Sequence, residues 1–90
     1  VLPKIEWLPA RPHRPRVGIV NLCRVFYEIS RAPAVGGGGR MEYEVEAISG
    51  VWDRPQSIQI PMRFLGSFRS LASAKAAAAR DLRKILEPAS

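Results

Sequence analysis

In this 90-residue chain the side chains that could do chemistry are one histidine, one cysteine and three closely spaced glutamates. His13 sits inside Arg11-Pro12-His13-Arg14-Pro15-Arg16, a proline-interrupted run with no acid beside it, which predicts a solvated histidine. Cys23 lies in the apolar run Ile19, Val20, Leu22, Cys23, Val25, Phe26 and reads as a small core residue. A single thiol neither staples a domain nor holds a metal, so a reducing compartment is expected. Glu42, Glu44 and Glu46 alternate with Met41, Tyr43, Val45 and Ala47. That spacing puts the three carboxylates on one face of a strand, where no histidine or aspartate completes an acid–base pair. The run Gly36 to Gly39 is followed by no Lys-Ser or Lys-Thr, so it reads as a connector and not a phosphate loop. No enzyme, cofactor, metal site or small-molecule substrate is expected of this chain, and any catalysis would belong to other domains of a longer protein.

Charge is the stronger signal. The chain carries 14 Lys and Arg against 8 Asp and Glu, a net +6, and its calculated isoelectric point is about 10.5. The excess is segregated: residues 1–16 are net +3, residues 17–53 net −2, and residues 54–90 net +5. A basic balance sorted in this way suggests an acidic partner, nucleic acid first among them. No stretch is apolar for long enough to span a bilayer, and the first residues do not read as a signal peptide. An intracellular protein is expected, cytoplasmic or nuclear with an organelle left open, and no membrane partner.

These charges need a scaffold. Pro3, Pro9, Pro12 and Pro15 predict an extended arm or linker over 1–16, with its cations available to phosphates. Ile19, Leu22, Cys23, Phe26 and Ile29 recur at three- and four-residue steps, which predicts a helix over 17–31. Alternation predicts a half-buried strand over 41–49. Residues 50–55 read as a loop and 57–64 as a second strand, in which Pro61 implies an edge position or a bulge. Leu65-Gly66 predicts a turn, leaving Ser67–Arg69 for a short third strand. Ser70 is a good N-cap for a helix running to Glu87, rich in alanine, with Leu71, Ala74, Ala78, Leu82 and Ile85 as its packed stripe and Pro88 as its stop.

The order is α-β-β-β-α, an α+β fold with two helices on one face of a three-stranded antiparallel sheet. Its second half resembles the double-stranded-RNA-binding domain. Ser70-Leu-Ala-Ser-Ala74-Lys75-Ala-Ala-Ala78-Ala79, followed by Leu82, Ile85 and Leu86, matches that family's second helix without a gap. Tyr43-Glu-Val45 and Gly50 look like its first strand and following loop. The resemblance covers residues 41–86, and 17–31 by position only, so that 17–88 would form the domain. It implies a non-catalytic module of a larger RNA-processing protein, recognising A-form double-stranded RNA by shape and phosphate contacts through the first helix, the loop at 50–55 and the start of the second helix. Carried over by position, the contact residues would be Lys75, Arg54, Arg69, Trp52 and Arg63, with Asn21 and Arg24 on the first helix.

The family's two leading lysines are here Leu71 and Ala72, and its loop histidine is missing. Two other readings therefore stand. A family member lacking these cations would act as a protein-interaction or self-association module through Leu71 and Trp52. A sheet followed by a helix also suits DNA binding, although Glu42, Glu44 and Glu46 oppose entry of that sheet face into a groove.

Overall fold

The computed structural model describes residues 4–20, 24–34, 36, 38–50 and 60–86. The described residues form five strands and one helix: β1 (Ile5–Trp7), β2 (Arg16–Val20), β3 (Val25–Pro33), β4 (Met41–Ser49), β5 (Ile60–Phe68) and α1 (Leu71–Leu86). The strands form one antiparallel meander in the order β1-β2-β3-β4-β5. The helix lies on one face, against β3, β4 and β5.

This corrects the expected three-stranded sheet with two helices. The helix expected over 17–31 does not form; β2 and most of β3 occupy that stretch. The local reason is β-branching. Val17, Ile19, Val20, Val25 and Ile29 lose rotamer freedom in a helix but fit a pleated surface, as do Phe26 and Tyr27. Within the stretch expected to be an extended arm, Ile5–Trp7 pairs with β2 in the register Ile5↔Val20, Glu6↔Ile19, Trp7↔Gly18. Gly18 is needed there, because a Cβ at that position would lie 2.6 Å from Ile5 Cγ2 and 2.7 Å from a ring carbon of Trp7. Its missing side chain lets the indole lie across β2.

The β3–β4 hairpin is regular from Val25↔Ser49 to Pro33↔Met41, and the Ala34 N–H donates to the Arg40 carbonyl at 2.8 Å. Gly36, Gly38 and Gly39 turn it with φ of 68°, 59° and 89°, values that glycine adopts without a Cβ clash. Gly36, Gly38 and Gly39 thus lie in the turn that joins the two strands in this register. β5 runs without a break through Leu65-Gly66, where the sequence predicts a turn. Val45 pairs with Gly66 and Glu46 with Phe64, so Leu65 is an extra residue; a second shift falls between Ala47 and Ile48, beside Pro61. Gly66, at φ 126°, absorbs the first irregularity as a bulge. Pro61 accordingly stands on an edge strand next to a register shift.

The core is the helix face of the sheet. Val20, Val25, Tyr27, Ile29, Val45 and Ala47 meet Ala74, Ala78 and Leu82, with Trp7, Tyr43, Leu65, Phe68 and Leu71 packed around them. The alanines let the helix sit close. The Ser70 side chain accepts the Ser73 N–H at 3.1 Å and so caps α1, while Arg83 and Lys84 complement the dipole in its last turn. Ile85, expected in the stripe, is exposed, and Asp81 is buried instead.

Candidate anion-binding groove

β1 and β2 are joined by a loop that rises at the end of the sheet where α1 begins. The Leu8 N–H donates to the Val17 carbonyl at 2.8 Å and closes the loop's base. At its tip the Arg14 N–H reaches the Arg11 carbonyl at 3.4 Å, and His13 takes φ 59°. Pro12 followed by a residue with positive φ is the pattern of a type II turn, which brings its first and last residues, Arg11 and Arg14, side by side.

Below this loop is an open groove of about 820 Å³. Arg11, Arg14 and Arg16 line the loop side, and Arg31 the end of β3. Ile29, Met41, Tyr43 and Leu71 supply an apolar and aromatic floor. Arg16 is on the helix face of β2, paired in register with Ile29, and its Nε is buried with no hydrogen-bond partner. Arg31 and Tyr43 are cross-strand partners, and the guanidinium carbon stands 5.8 Å from the ring centroid. Among the described residues no carboxylate lines the groove, and none of these four arginines forms a salt bridge.

The opposite face of the sheet is acidic. Alternation along the strands directs Glu6, Glu28, Glu42, Glu44 and Glu46 there. Glu28 lies opposite Glu46 in register, and its carboxyl titrates above its ordinary value of 4.5, first because burial disfavours the charge and second because Glu46 repels it. Phe26 and Ile48, also partners in register, are buried on this side outside the helix-face core cluster. Phe64 is 61% exposed on β5 beside Glu46.

The residues expected from sequence to bind RNA are scattered. Lys75 is half-buried with its Nζ 5.6 Å from the centroid of a Trp7 ring. Arg63 pairs with Asp81, Nη2 to Oδ1 at 2.6 Å, and the Tyr27 hydroxyl donates to the other carboxylate oxygen at 2.9 Å. These contacts tie the helix to β3 and β5. Arg69 is exposed just before the cap, and Leu71 is half-buried between core and groove. Arg24 is exposed at the other end of β3, about 23 Å from Arg31 at the rise of an extended strand. Trp52, Arg54 and Asn21, like Cys23, lie outside the described residues. The loop arginines were legible as a basic segment. Arg31 and Tyr43 were missed, because only the hairpin register brings them together.

Among the described residues, no three His, Cys, Asp or Glu side chains group as metal ligands, and no helix is long and apolar enough to cross a membrane. Comparison with protein-family models, curated proteins and solved structures finds no match to the chain.

Proposed function

We propose that the chain is a non-catalytic RNA-binding module whose Arg11, Arg14, Arg16 and Arg31 hold backbone phosphates in the groove beside the start of α1. The observation that carries this reading is the convergence of four arginines, three from the stretch 11–16 and one from the end of β3, on one concavity without a carboxylate among the described residues. Guanidinium groups give phosphate oxygens forked, charge-assisted hydrogen bonds. Glu28 shares a second, smaller pocket with Arg11 and Arg14 on the other side of the loop, but none of the five glutamates lines the groove itself. Binding by a first helix laid in a minor groove has no support in this fold, since residues 16–20 and 25–33 are strands.

The test is fluorescence anisotropy of labelled RNA at several salt concentrations. Four phosphate contacts predict a slope of about −3 to −4 in log K against log salt, for a single strand or a duplex, so affinity falls on the order of 50- to 150-fold between about 50 and 200 mM. Arg14→Gln, Arg16→Gln and Arg31→Gln together should flatten the slope by about 2 units. An unchanged slope in that triple variant contradicts the reading.

A protein-contact reading has one observation in its favour, the exposed Phe64 on edge strand β5. Its test is solution mass over a concentration series: growth with concentration that Phe64→Ser abolishes supports it, and a constant monomer mass excludes self-association through that edge.

A further inference from the structure

The shape of the groove carries the reading one step further, and the step rests on the proposed RNA function. We infer that the groove accepts an unpaired, single-stranded segment and not a duplex, with one base laid against Tyr43 and Arg31.

Three observations lead there. The first is where the cations stand. Arg11 and Arg14 are exposed on the loop, but Arg16 is only partly exposed, at the foot of the loop on β2. A duplex is a convex cylinder whose phosphate ridges meet a rim; it reaches Arg11 and Arg14 and stops short of the floor. A single strand is thin enough to run between the loop and the start of α1, so its phosphates reach all four arginines.

The second is the floor. Ile29, Met41, Tyr43 and Leu71 offer apolar and aromatic surface at the base of a strongly cationic rim. Paired bases are stacked inside a helix and have no use for such a floor. An unpaired base has an exposed π-face that stacks on aromatic rings and guanidinium planes, and this stacking tolerates any sequence. The Arg31 guanidinium carbon stands 5.8 Å from the Tyr43 ring centroid, within cation–π range, so a ring and a guanidinium plane lie side by side where a planar group enters.

The third is an unsatisfied donor. Arg16 lines the groove, and its Nε is buried with no hydrogen-bond partner among the described residues. Buried polar groups in native proteins are almost always paired. Turning the Arg16 side chain into the groove gives this donor an acceptor, a phosphate oxygen or a base carbonyl, at a depth that a duplex lying on the rim does not reach.

The experiment compares a labelled oligouridine, which has no paired structure, with an RNA duplex of equal length, both titrated with the full chain at one salt concentration. The single strand should bind at least about tenfold more tightly. Tyr43→Leu should weaken single-strand binding by roughly five- to a hundredfold, the range for one lost base–aromatic stack, and Tyr43→Phe should retain it. Because Tyr43 also packs on the core, Arg31→Gln on the exposed end of β3 serves as the second variant; it should weaken the single strand more than the duplex. Equal or tighter duplex binding, or Tyr43→Leu that folds and binds oligouridine unchanged, overturns the single-strand inference and leaves RNA binding standing. Binding of neither RNA overturns both.

Discussion

On the helix side of the sheet, four arginines and a tyrosine surround an open groove; on the other side, three glutamates run along β4 with Glu28 beside Glu46. The two regions share the same strands and differ in what the alternation of β-structure sends to each face. On the acidic side like charges stand two residues apart along β4 and directly opposite across to β3, and burial first and Glu46 second raise the titration of Glu28. On the basic side the cations divide by use. Arg63 and Lys75 are engaged with Asp81 and Trp7, whereas Arg11, Arg14, Arg16 and Arg31 make no salt bridge among the described residues. A net +6 is therefore a poor guide to where a polyanion binds. Arg63 and Lys75 join the helix to the sheet and hold the fold, whereas the four arginines around the concavity, with Arg31 beside Tyr43, are the ones offered outward.

The comparison breaks most sharply at Asp81. Replacing it by Ala should cost roughly 3 kcal/mol in urea denaturation, because the buried Tyr27 hydroxyl loses its acceptor and Arg63 its partner. If Arg63 is a structural cation, Arg63→Gln should also lower stability, by about 1 kcal/mol given its exposure to solvent, while leaving RNA affinity nearly unchanged. A large loss of affinity with intact stability would move Arg63 to the other class.

Gly18→Ala comes next. The added methyl meets Trp7 and Ile5 inside contact distance, so β1 must shift, at a cost of roughly 1–3 kcal/mol in thermal or urea unfolding. Since Trp7 also carries Lys75, the fluorescence of this indole should change with the same substitution. A Gly18→Ala protein as stable as the parent would show that the indole does not lie across β2.

The smallest effect belongs to the acidic face. Glu28 holds its proton more tightly in the folded chain than in the unfolded one. The stability this contributes is complete below the unfolded value of 4.5 and is lost as pH rises through the higher folded value. Glu28→Gln should thus match the parent in acid and exceed it in stability at neutral pH. Thermal melts across that range check the sign; a gain confined to acid would contradict it.

Much of the C-terminal half was legible from residues alone. Ser70 caps the helix, the 41–49 alternation is β4, and Pro61 marks an edge beside a shift, because each signal is local. The first half misled for a physical reason. Val25, Phe26 and Tyr27 are buried in succession, since this part of β3 is covered on both faces. Burial on both sides erases the two-residue alternation and leaves spacings that a helix also fits. The Leu65-Gly66 pair misled differently: glycine's backbone freedom serves a turn or a bulge equally, and only the partner strand decides. The groove was half visible, as arginines on a proline-rich segment. Its other half, Arg31 with Tyr43, exists only through a cross-strand register.

The central claim is that phosphates meet the arginines of this groove and not those elsewhere. The most direct measurement follows the side-chain Nε–Hε resonances of a ¹⁵N-labelled protein while single-stranded RNA is added. Arg11, Arg14, Arg16 and Arg31 should shift together while Arg80 and Arg83 on the outer side of α1 stay in place. Shifts centred on the α1 arginines, with Arg16 unmoved, would contradict the claim.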